Sequence, residues 1–218
     1  MFAGHVGVAL ALKRAERRVN LGVLILAALL LDVLLWLFVL AGFEQVIVPA
    51  DYASRHYVTF VFPYSHSLAA SLVWSILAGA LTWVATAGWV GGRGWATVVV
   101  AAAVFSHFLL DFLVHIPELP LLGEASPKVG LGLWNQMPVA LMLEVLITAG
   151  GLLVFLRGVT LGRGRTIGLV GLVVFVTALT VAGMTVAPAP PSIPQVAISS
   201  VVGVLLVAAI GGWLDRSV

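Results

Sequence analysis

Apolar residues run almost unbroken through six stretches of this chain, roughly 21–42, 64–87, 95–116, 131–156, 166–187 and 195–213. Each is close to the 20 or so residues that a membrane-crossing helix requires. Polar and helix-breaking residues collect between them: GWVGGRG at 88–94, GRGR at 162–165 and PAPPSIP at 188–194 read as turns or short loops. Pro63 and Pro194 suit the first turns of helices. The pattern predicts an all-α, polytopic membrane helix bundle of about six transmembrane helices, with an additional short helix over residues 2–12. Residues 1–218 form a single integral membrane domain, because the longest connections, 43–63 and 117–130, are too short to bury a core of their own.

Composition agrees with the pattern. Of the 218 residues, 61% are hydrophobic and 9% charged, against about 25% charged in an ordinary soluble domain. The net charge of +2 does not indicate nucleic acid, because the basic residues form short clusters beside the spans rather than one face. They report topology instead. With both termini cytoplasmic, nine basic residues (Lys13, Arg14, Arg17, Arg18, Arg93, Arg157, Arg163, Arg165 and Arg216) lie inside and two, Arg55 and Lys128, outside. The expected location is the inner, cytoplasmic membrane. A cleaved signal peptide is not expected, since the first basic cluster follows the apolar run MFAGHVGVALAL. Without cysteine, any metal would be held by nitrogen and oxygen donors.

Ionisable residues inside such spans are costly and mark function or a buried partner. His107, Asp111 and His115 follow one another at steps of four in the third span, on one helix face. By helix rise His107 and Asp111 lie roughly 14 and 8 Å below the outer surface. His115 falls at the rim, as an entrance residue. Asp32 lies about 15 Å down the first span and Glu144 about 17 Å down the fourth, while His66 sits in the first turn of the second. His5 joins them if residues 2–12 dip into the bundle as a half-helix; as a surface-lying helix they would leave it in the headgroups. Both arrangements are open. The structural alternative for His107 and Asp111 is an intrahelical hydrogen bond between two buried polar groups, and for Glu144 a protonated packing residue.

Residues 1–156 thus carry the polar site. Residues 157–218 form apolar scaffold spans, where Gly168, Gly171, Gly183 and Gly203 are expected to allow close helix approach. Most of the tryptophans fall near span ends, as an interfacial belt does. The glycine loops match no nucleotide-binding pattern, and no GxSxG supports a serine hydrolase.

Gly4-His5, Leu30-Leu31-Asp32, Tyr64-Ser65-His66-Ser67 and Ser106-His107 with Asp111 occur in the order of motifs found in a family of small membrane-bound metal-dependent hydrolases. That group includes the LexA-binding inner-membrane protein, and the first 125 or so residues resemble it. MFAGH, SHSL, FSHFLLDFLVH and GLGLW resemble a bacterial subgroup over nearly the whole chain. Leu34 and Leu35 stand where the family has a second aspartate and a histidine.

The resemblance implies a membrane-embedded metal-dependent hydrolase. His5, His107 and Asp111 or Asp32 would bind one divalent ion, zinc by the donor set, with His66 or Glu144 as general base or acid, or as a further ligand. A site in the outer half of the bilayer implies membrane lipid as partner and a lipid or lipid-linked substrate. A proton-coupled transporter or channel, or a noncatalytic membrane scaffold, are the alternatives.

Overall fold

The computed structural model describes residues 2–216. Among them helices dominate: α1 (Phe2–Ala15), α2 (Leu21–Ala28), α3 (Leu30–Leu40), the single turn α4 (Tyr52–Arg55), α5 (Leu68–Ala85), α6 (Arg93–Val114), α7 (Met137–Gly158), α8 (Arg163–Thr185) and α9 (Ile193–Leu214). Five of these, α5 to α9, are long and apolar enough to cross a membrane, and α2 with α3 makes a sixth, bent span. The fold is the expected all-α membrane bundle with a short extra helix at its start. Its outward surface is apolar, with Ile76, Leu81, Ile167 and Phe175 each more than 60% exposed, which suits hydrocarbon and not water.

The two half-length helices occupy the centre. α1 buries Ala3, His5, Val6, Gly7, Ala9 and Leu10, and α2 buries nearly every side chain it has. The N-terminal segment is therefore the inserted half-helix, not a surface one. Glycine makes the insertion possible: a Cβ on Gly7 would lie 2.7 Å from the Ile147 carbonyl oxygen, and one on Gly151 only 1.9 Å from the Gly7 oxygen. α1 and α7 thus cross backbone to backbone. α2 meets α9 in the same way, where a Cβ on Gly22 would stand 2.4 Å from the Ala208 oxygen. The glycines expected to serve close approach behave otherwise. Gly171, Gly183 and Gly203 face open space, and only Gly168 meets a neighbour, Leu214.

At the arginine-rich end, buried Lys13 anchors the foot of α1. Its Nζ donates to the Arg17 and Val19 carbonyls at 2.6 and 2.9 Å and pairs with Asp215 Oδ2 at 2.7 Å. Asp215 also accepts from the Leu21 N–H, and Asn20 caps α2 through Gly22 N. One carboxylate ties the ends of α1, α2 and α9.

The opposite end differs from the sequence expectation. The connection 43–63 forms a hairpin, β1 (Gln45–Ile47) against β2 (Thr59–Val61), and 117–130 a shorter one, β3 (Leu119–Pro120) against β4 (Lys128–Val129). Leu35, Phe62, Phe108 and Leu119 form a small apolar core beneath them. Pro63 does not start a helix: α5 begins at Leu68, capped by Ser67, whose hydroxyl accepts from Ala70 N. Residues 63–67 make a turn instead. The first span breaks at Leu29 with a 54° bend.

Valine at Gly151 is expected to lower folding stability by at least about 1–3 kcal/mol, the range for overpacking, because backbone cannot move aside as a side chain can. The same change at Gly171 should stay within about 0.5 kcal/mol. Thermal unfolding followed by size-exclusion fluorescence checks the pair.

Candidate metal centre

Five of the sequence-selected residues meet at one point. α1 brings His5, the first turn of α3 brings Asp32, the turn before α5 brings His66, and α6 brings His107 and Asp111. All but Asp32 are at most 2% exposed; the Asp32 side chain is 25% exposed.

His66 Nε2 lies 3.2 Å from His107 Nε2 and 3.6 Å from Asp111 Oδ2, and His107 Nε2 lies 3.3 Å from that same oxygen. Asp32 Oδ1 is 3.7 Å from both imidazole nitrogens. Ligands held about 2.0–2.1 Å from a tetrahedral zinc are separated by about 3.3–3.4 Å. The donor set therefore has the size of a metal site, and these buried groups could hold an ion; His5, Asp32 and His107 make a second, overlapping trio.

Hydrogen bonds on the far side of each ring decide what the near nitrogens offer. His107 Nδ1 lies 2.7 Å from the Ala28 carbonyl oxygen, which only accepts, so Nδ1 carries the hydrogen and, in the neutral ring, Nε2 has the lone pair. That carbonyl is presented at the Leu29 bend, and insertion of a side chain into the helical ladder is a recognised cause of kinking. His66 Nδ1 lies 2.7 Å from Ser65 Oγ, whose one proton goes to Glu44 Oε2 at 2.7 Å. The serine must then accept from Nδ1, leaving the His66 Nε2 lone pair turned inward as well. Two lone pairs face each other at 3.2 Å beside two carboxylates. A proton shared between the two nitrogens, as in an imidazolium–imidazole hydrogen bond, or a metal ion makes this arrangement favourable.

Glu44 is 2% exposed and accepts from Tyr64 N and Ser65 N, both at 2.8 Å, as well as from the serine hydroxyl. Burial pushes its carboxyl up, and the three donors oppose this by selecting the ionised form.

Asp111 is the hub. Its Oδ2 faces His66 and His107, and its Oδ1 lies 3.3 Å from His5 Nε2. His5 stacks on His107 with centroids 3.8 Å apart and planes 6° from parallel. Its ring nitrogens make no well-aligned hydrogen bond among the described residues, despite the short approach to Asp111.

His115 corrects the expectation of an entrance residue at the rim. It is 4% exposed, with Nε2 3.6 Å from Asp111 Oδ2 and Nδ1 2.7 Å from Glu118 Oε1. Helix rise placed it at the surface, but Trp134, 3.9 Å away by ring centroids, and Phe62 cover it. Glu118 is buried for the same reason and also accepts from Phe60 N, joining the two hairpins. Glu144 accepts from Gly4 N at 2.7 Å, fixing the buried end of α1 next to the site. Arg55 and Asp51 pair with each other on the surface, as loop residues do.

Sequence reasoning missed Glu44 and the serine relay. Nothing in the pattern around Glu44 separates it from an ordinary loop carboxylate; the Ser65-His66 adjacency was the one visible trace. Among known protein families, curated proteins and solved structures, none matches the chain.

Glu44→Gln tests the relay. A glutamine amide would donate to Ser65, turn its hydroxyl toward His66 Nδ1 and leave a hydrogen on Nε2. Divalent-ion affinity, titrated against a chelating dye, should fall about 10–100-fold.

Proposed function

We propose that the chain is a membrane-embedded metal-dependent hydrolase, with zinc as the ion best suited to its nitrogen and oxygen donors. The observation that carries this reading is the convergence of His66 Nε2, His107 Nε2 and Asp111 Oδ2 within 3.6 Å of one another, the spacing of metal ligands. His66, His107 and Asp111 are the ligands. These three, wholly buried, match the two-histidine, one-carboxylate set of hydrolytic zinc sites that keep a fourth position open. Asp32 stands on the open side, slightly farther off and alone in reaching solvent. It acts as general base. Relative to the expectation from sequence, His66 and Asp32 exchange roles.

His66, His107 and Asp111 would hold a divalent ion, which would supply Lewis-acid activation of a water. Asp32 takes the proton as the water oxygen adds to the substrate's electrophilic centre. The bond to the leaving group breaks, and Glu144 in its protonated form gives its proton to the departing atom. Glu144 suits this because it lines the cavity that Asp32 also lines. With the arginine-rich end cytoplasmic, the site lies in the outer half of the bilayer and the substrate is a lipid or lipid-linked molecule.

A proton-carrier reading needs ionisable groups through both halves of the bundle. Val6, Ala9, Leu10, Leu24 and Ile25 fill the arginine-rich half below the site without a gap in burial, which weighs against it.

Protein purified after metal-replete expression should carry about one divalent ion per chain, and His107→Ala less than about 0.2. Asp32→Asn should keep the ion. Wild-type protein below that lower figure would end the metal reading, and loss of the ion in Asp32→Asn would make Asp32 a fourth ligand in a closed structural site.

A further inference from the structure

α8 packs along only half its length. Its buried residues, Leu169, Leu172, Val173 and Val176, lie in the middle of the helix, and from Thr177 to Thr185 no side chain is buried. Beside this unburied end a gap lies between α8 and α9. A cavity of about 580 Å³ fills the gap, with Leu179, Gly183 and Met184 of α8 and Val196 and Ser200 of α9 along one side. Asp32 and Glu144 lie at its inner wall. Tyr52 and Tyr57, 9% and 5% exposed, and Trp134 also line it from the hairpin side. His56 Nδ1, 3.3 Å from the Ala187 carbonyl, joins that covering segment to the end of α8.

We propose that this cavity seats the hydrocarbon chain of the substrate, which enters from the bilayer between α8 and α9 and brings its scissile bond to Asp32. The inference rests on the hydrolase reading and adds the substrate class. Away from Asp32 and Glu144 the wall is largely apolar, Leu179, Met184 and Val196 among it, and a hydrocarbon chain fills that part without loss whereas water does not. The cavity is continuous with the one metal-site residue that reaches solvent. Charge narrows the class further. Among the described residues no lysine or arginine lines the cavity and two carboxylates do, so these side chains repel a diphosphate headgroup rather than bind it. The substrate is an acyl lipid, cleaved at an ester or amide, rather than a polyprenyl diphosphate. Gly183 belongs to this function, since a side chain there meets nothing in the protein and would occupy the seat.

Protein in nanodiscs containing phosphatidylcholine with a diazirine near the end of one acyl chain provides the test, with adducts mapped by peptide mass spectrometry. Adducts should concentrate on 179–184 and 196–200, survive in His107→Ala, and fall at least fivefold in Gly183→Trp and Ser200→Phe while both keep wild-type metal content. Two variants guard against one that fails to fold. Adducts spread evenly over the lipid-facing residues Ile167, Phe175 and Ile198, or unchanged in whichever cavity variant folds, would overturn the seat. So would displacement of the probe by a polyprenyl diphosphate at equal mole fraction. A chain-seat signal in protein that never binds metal would instead overturn the hydrolase reading and leave the lipid site standing.

Discussion

A carboxylate in the middle of an apolar bundle has to be compensated by charge or hydrogen bonds, and Asp111 is where this chain meets that demand. Desolvating an ion of this size costs several kcal/mol even after relaxation. The partners come from every side: His107 and His115 from the same helix, His66 from the turn before α5, His5 from α1. The unusual parts of the architecture each deliver one of these. α1 is a half-helix because its buried end must stop at the site, and α2 bends into α3 where the Ala28 carbonyl holds His107 and the next turn offers Asp32. The hairpins cover His115 and Glu118, which would otherwise be wet.

Much of this was legible because hydrophobicity and helix rise are strong signals in a membrane. The spans follow from apolar runs, and the meeting of Asp32, His107 and Asp111 follows from matching depths on separate helices. What stayed hidden depends on contacts between distant segments. Only the approach of Gly7 to Gly151 decides that α1 enters the bundle, and those residues are 144 positions apart in the chain. His115 was misplaced because depth along a helix says nothing about what folds over its end. The scaffold glycines of α8 and α9 were misread for a related reason: a small residue in a span permits close packing and equally permits an empty groove.

The metal reading and the cavity depend on different physics. The first follows from the convergence of His66, His107 and Asp111 at the spacing of metal ligands, the second from a helix that packs over half its length. They converge at Asp32, which belongs to the donor cluster and to the cavity wall alike. A polar reaction could thus run within hydrocarbon, provided the substrate is itself amphiphilic.

The Gly7–Gly151 crossing also orders assembly in time. α1 is synthesised before the helix it packs against, with α2 to α6 made in between. A nascent chain with α1 to α6 inserted has no α7 groove to hold the half-helix, and Gly4 has no Glu144 to accept its N–H. His5 therefore leaves the ribosome early and is seated late. The polar centre closes only once α7 is in place, so a truncated or stalled chain carries the other histidines and both aspartates without a finished site.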